Sequence, residues 1–167
     1  SAFGHGNLAS GDDSSAFGNR SDASGANSSA FGYNNAANGN FSSAFGVSNR
    51  ADGRLSSVFG NSSSASGESS SAFGYESEAL NIGSTAIGYQ AIADRDFAIA
   101  VGKTGGEHQI IHLADGTEDF DAVNVRQLRS LANWLGGGAS SGGGVFNAPR
   151  FSIPGNHHTP VAAALPA

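Results

Sequence analysis

The chain has 167 residues, enough for one ordinary domain, but 25 Gly, a single Trp and no Met leave little material for an ordinary core. It has no Cys, which excludes a disulfide framework and thiolate metal sites, and its net charge of −6 includes no basic cluster to neutralise phosphates, which excludes nucleic acid as a partner. No apolar run of about 18 residues and no charged segment leading into an apolar one is present, so no direct membrane contact is expected within these residues.

From Ser1 to Gly102 a four-residue block recurs every 14 residues: Ser1-Ala2-Phe3-Gly4, Ser15-Ala16-Phe17-Gly18 and so on to Thr85-Ala86-Ile87-Gly88 and Ile99-Ala100-Val101-Gly102. Ser1 opens mid-repeat, as expected of an internal fragment. A fixed short period indicates stacked coils, although Ser, Ala, Gly and Asn alone would suggest a flexible linker. A weaker block lies between, as in Ala23-Ser24-Gly25 and Ala51-Asp52-Gly53, with Gly/Asn/Ser/Asp turns on either side. Two extended segments of four or five residues and two turns make one coil, so the predicted fold is an all-β solenoid.

Strand parity then sorts the side chains, because neighbours point to opposite faces. Ala16 and Gly18, and Ala23 and Gly25, are expected to line a very narrow interior. Outward on the first segment stand Phe3, Phe17, Phe31, Phe45, Phe59, Phe73, Ile87 and Val101. Coils stack about 4.8 Å apart, so these eight form one apolar column. Such a stripe exceeds what soluble monomers expose, so further copies of the chain are predicted to cover it as a structural interface. Outward on the second segment stand Ser10, Ser24, Asn38, Asp52 and Ser66, the candidate solvent-facing ligand surface. The alternative is a larger roll with Phe inside and Ala outside, which would crowd a Phe column into a 14-residue coil.

After Gly102 the period stops. A short strand, roughly Gln109 to Leu113, is predicted to lead through a turn into a helix capped by Thr117 or Asp119, with Asp121 in its first turn and Gly136–Gly138 ending it. Two coiled-coil registers fit: Asp121, Val125, Leu128, Ala132 and Leu135, or Asn124, Leu128, Leu131 and Leu135. Val125, Leu128 and Leu135 are taken as interface positions, and Asn124 facing the axis stays open.

The 14-residue Ser-Ala-hydrophobic-Gly unit, followed by Gln109, Ile110, Ala114, Gly116, Asp121, Ala122, Val123, Asn124, Gln127 and Leu128 at their spacing, resembles the head and neck of trimeric autotransporter adhesins of the YadA-like type. His112 stands where that pattern usually has Asn. The resemblance covers about residues 1–135. It implies a left-handed parallel β-roll and a parallel homotrimer, with a coiled-coil stalk beyond the neck.

Gly136 to Gly144 is linker-like, but Val145 to Ile153 alternates apolar residues as a short strand does, and Val161 to Leu165 is predicted to resume a helix that frays near Ala167. Val145-Phe146, Pro149 and the Val-Ala-Ala-Ala-Leu restart resemble the FGG-type insert of such stalks. The resemblance therefore divides the chain into a β-roll head (1–102), a neck (103–122), the start of a coiled-coil stalk (123–135), a Gly-rich FGG-like β-insert (136–160) and the resuming stalk (161–167).

No catalytic, cofactor-binding or metal constellation is expected. His5, His108, His112, His157 and His158 have no Cys partners, and Asp115, Glu118, Asp119 and Asp121 lack a calcium-loop pattern, so turn and cap duties explain them. Solenoid acyltransferases and lyases have larger coils and a catalytic cleft, and ice-binding Thr columns and calcium-binding nonapeptides are absent. The resemblance implies a non-catalytic bacterial surface adhesin, attached to the outer membrane through a C-terminal translocator outside this sequence. Host matrix proteins (collagen, fibronectin, laminin) or host-cell receptors would be its partners. A trimeric phage-type fibre, or another structural solenoid without an adhesin role, is the alternative.

Overall fold

The computed structural model describes residues 1–136, 138–142, 145–149, 151–153 and 156–158. These divide into two compact units, residues 1–110 and 111–167. The first is a parallel β-solenoid. Eight strands, Ala2–His5, Ser15–Asn19, Ser29–Tyr33, Ser43–Val47, Ser57–Asn61, Ser71–Tyr75, Thr85–Ile87 and Ile99–Ala100, all but the last longer than two residues, pair in sequence order as one sheet. Seven two-residue strands, from Leu8–Ala9 to Ile92–Ala93, form the other. Each strand pairs with the one 14 residues away, Phe17 with Phe31 and Ala23 with Ala37.

The faces follow the parity of the pleat, and the larger roll with Phe inside is excluded. Ala16, Ala30 and Ala44 on the long strands and Ala23, Ala37 and Ala51 on the short ones have 0 % exposure, as does Val58, which replaces Ala in its column. The two sheets are thus separated by little more than two methyl groups. The second segment is shorter than expected because its ladder ends in a shared bond: the N–H groups of Ser24 and Gly25 both donate to the Ala37 carbonyl, at 3.1 and 3.2 Å. The chain bends there into the turn.

The interior is also not lined by Ala and Gly alone. Its corners hold buried Ser28, Ser42 and Ser56 on one side and Ser21, Asn35, Asn49 and Ser63 on the other. Asn49 donates to the carbonyls of Phe45 (2.8 Å) and Gly60 (2.7 Å) and accepts from the Ser63 N–H at 3.1 Å, clipping consecutive coils together. Gly18, expected inside, is exposed. Its φ of +118° and a Cβ position 1.9 Å from the Gly32 carbonyl oxygen are the reasons for Gly there. Each coil turns through two left-handed residues seven apart, such as Arg20 (φ 55°) and Asn27 (φ 56°).

Among the described residues of the second unit, helix α1 (Val125–Leu135) is followed by antiparallel hairpins of Ser140–Gly142 with Val145–Asn147 and of Phe151–Ile153 with Asn156–His158. Residues 109–113 form no strand, since no strand among the described residues pairs with them. His112 there is left-handed (φ 58°), a conformation that Asn and His both tolerate better than most residues. The helix is capped by Asn124, not by Thr117 or Asp119. Asp121 lies before the helix and accepts instead from the N–H groups of Thr117 (3.0 Å) and Glu118 (3.1 Å). The predicted helix restart at 161–165 lies outside the described residues.

Candidate interaction surface

The long-strand sheet positions the apolar column. In-register parallel pairing repeats one side chain per coil, so the rings of Phe17, Phe31, Phe45, Phe59 and Phe73 stack with centroids 4.8, 4.9, 5.0 and 5.6 Å apart and interplanar angles of 4–6°. Phe3 tilts by 37° at one end, and Ile87, paired with Phe73, continues the column at the other; Val101 follows the last strand and is half-buried. Stacking does not cover these residues: Phe59 keeps 44 % of its surface exposed and Phe3 72 %. Burying each such side chain is worth roughly 1.5–3 kcal/mol, so a shared cover for the column is a large free-energy term.

Sequence reasoning missed the neighbouring column. Two residues after each Phe, Asn19, Tyr33, Val47, Asn61 and Tyr75 pair strand to strand, and Tyr89 continues the line with its ring 5.9 Å from that of Tyr75. Parity sends this column to the same side as Phe, and the 14-residue period contains the signal.

On the short-strand wall the polar column is internally bonded, which sequence reasoning did not anticipate. Ser24 Oγ donates to Asn38 Oδ1 (2.9 Å), Asn38 Nδ2 donates to Asp52 Oδ1 (2.7 Å), and Arg50 pairs with Asp52. That carboxylate raises the Arg50 pKa, through the hydrogen bond first and its charge second. Ser10, Ser24 and Ser66 are exposed, whereas Asn38 and Asp52 are half-buried. Arg54 reaches Glu68 on the next coil at 2.8 Å.

In the second unit, the residues around α1 form a clasp. Asn124 Oδ1 accepts from the Gln127 N–H (3.1 Å) and Gln127 Oε1 from the Asn124 N–H (3.3 Å), a reciprocal capping box. Asn124 Nδ2 also donates to the Leu113 carbonyl (3.0 Å) and to Asp115 (2.7 Å), while Gln127 bonds both the N–H and the carbonyl of Gly116. Arg126 pairs with Asp115 and holds its carboxyl below the ordinary range, with the Asn124 bond adding to the effect. Asp121 is lowered by its two backbone donors. Ala132 is buried, whereas Val125, Leu128 and Leu131 remain exposed and Leu135 half-buried.

Among the described residues no group of three His, Cys, Asp or Glu side chains converges to hold a metal, and no helix is long and apolar enough to cross a membrane. A cavity of about 500 Å³ opens at the last coil between Ala93, Ala100, Lys103, Glu107 and His108.

Residues 1–21, 23–49, 51–77 and 79–103 match the YadA head domain repeat, and residues 109–149 match the coiled stalk of trimeric autotransporter adhesin. The chain belongs to the trimeric autotransporter adhesins. It is thus a head-and-stalk piece with an adhesin-type structural role, and a trimer is consistent with that family. No curated protein matches it.

Proposed function

We propose that this adhesin piece is the homotrimeric head, neck and early stalk of a surface fibre that attaches a bacterium to host matrix or host cells without catalysis. On this reading the head is residues 1–102, the neck 103–122 and the stalk start 123–135, with an insert at 136–160. The observation that carries it is the division of the roll into two walls, one presenting an unbroken apolar column and the other a bonded polar one. The column from Phe3 to Val101, with Val125, Leu128 and Leu135 on the helix, is the interface between copies. Ser10, Ser24, Asn38, Asp52 and Ser66 face the ligand. Family membership supports display at the outer membrane of the cell surface.

With −6 per chain and mostly anionic host surfaces, long-range attraction does not drive contact. Many weak repeated contacts do, multiplied by three chains and many fibres. Solid-phase binding to collagen, fibronectin and laminin, with Asp52→Ala and Asn38→Ala as probes, tests the reading. Saturable binding weakened by these changes is expected. Absence of binding to all three and to host cells would contradict the adhesive role.

A further inference from the structure

The two lateral edges of the roll carry matching sequences. One edge is the column that ends the long strands, residues 5, 19, 33, 47, 61, 75 and 89. The other is the left-handed corner that precedes the next long strand, residues 13, 27, 41, 55, 69, 83 and 97. Where the first edge is apolar, at Tyr33, Val47 and Tyr89, the corner eight residues later is also apolar: Phe41, Leu55 and Phe97. Where the first edge is polar, at His5, Asn19 and Asn61, the second is Asp13, Asn27 and Ser69. The remaining level sets Tyr75 against Gly83, and the Phe97 ring lies over that glycine, with Cδ1 2.8 Å from where a Cβ would be. The apolar match therefore holds there too.

No contact within the protomer accounts for this correspondence. Tyr33 is 47 % exposed, Phe41 50 % and Phe97 82 %. Phe41, Leu55 and Phe97 also hold φ values of 55–61°, a conformation that suits Asn, Asp or Gly and disfavours large apolar residues. The same left-handed bend recurs at the polar corners Asp13, Asn27 and Ser69, so the bend belongs to every coil; what sets Phe41, Leu55 and Phe97 apart is a large apolar side chain placed in that bend and left exposed. Conflicts of this kind mark positions kept for an interaction.

We infer that in the trimer the long-strand edge of each roll abuts the corner edge of its neighbour, coil for coil, with residue r facing residue r+8. This rests on the trimeric reading above and deepens it. A head-to-tail contact between two different edges closes into a ring, and protomers of a ring sit at one height. Each long strand is then bracketed by the neighbour's corners eight residues later and six residues earlier. The earlier choice would set Tyr33 against Asn27 and Asn61 against Leu55; the later one pairs like with like on six of the seven levels, and at the seventh Tyr75 meets Gly83 with the Phe97 ring over it.

The chain contains no Cys, so engineered pairs report without background. Tyr33→Cys with Phe41→Cys in one chain should, after oxidation, give a covalent trimer on a denaturing gel, and Val47→Cys with Leu55→Cys should do the same. Tyr33→Cys with Asn27→Cys should stay as single chains. Cross-linking of the Tyr33/Asn27 pair alone would overturn the register. Failure of all three pairs while sedimentation still shows three chains would overturn the edge contact and leave the trimer standing. Sedimentation as a monomer would instead remove the trimeric reading, and this inference with it.

Discussion

At the scale of single residues, the roll depends on small side chains whose backbones cannot tolerate larger ones. Gly18→Ala places a methyl 1.9 Å from the Gly32 oxygen at φ +118°, so loss of cooperative folding is expected by thermal melting. Asn49 is different, because its value lies in three buried bonds across the corner. Asn49→Ala should cost about 1–3 kcal/mol per protomer in denaturant titration. Asn49→Ser should cost less, because Ser63 already performs part of the task, donating to Gly74 at 3.0 Å and accepting from Ser77 at 3.1 Å. The Ala and Phe columns were legible from pleat parity alone. The Asn clip was not, since Asn35 and Asn49 read as generic turn residues until the corner folds inward over them.

At the scale of elements, the segment leading into α1 is a carboxylate-dependent clasp. Asp115 and Asp121 both have folded pKa values depressed below the ordinary carboxylate value, the first by Arg126 and Asn124 and the second by the Thr117 and Glu118 amides. Their contribution is therefore present above the unfolded-state pKa and lost as pH falls through the lower folded one. Protection of the Thr117 and Glu118 amides, taken relative to the intrinsic exchange rate at each pH, should fall below about pH 4 and hold between pH 5 and 8. Asn124→Ala removes the cap and two further bonds, and a loss of about 0.5–2 kcal/mol from the helix is expected by far-ultraviolet circular dichroism on heating. The helix itself was legible in the spacing of its apolar residues, but its start was misplaced. Several Asp and Thr residues compete as caps in sequence, and only the reciprocal Asn124–Gln127 bonds select one. The expected strand at 109–113 failed for a related reason: a short apolar stretch makes a strand only where a partner strand exists.

At the scale of the whole molecule, a solenoid with an interior of methyl groups and small polar side chains buries little per residue, so its largest apolar resource lies on the outside. The coil-to-coil ladders hold the stack together, and the Phe stack adds a surface that water leaves incompletely covered. The 14-residue period made the solenoid and this need for a partner legible. The matched edges were hidden because their correspondence spans two columns on opposite sides of the coil. Phe45→Asp replaces one ring of the column by a charge and should convert the assembly to monomers with the β-roll circular dichroism retained, whereas Asp52→Ala should leave the assembly intact. Sedimentation of the unaltered chain at low micromolar concentration tests the central claim most directly. Three chains per particle are predicted, and a stable, folded monomer with its Phe column open to solvent would contradict the account.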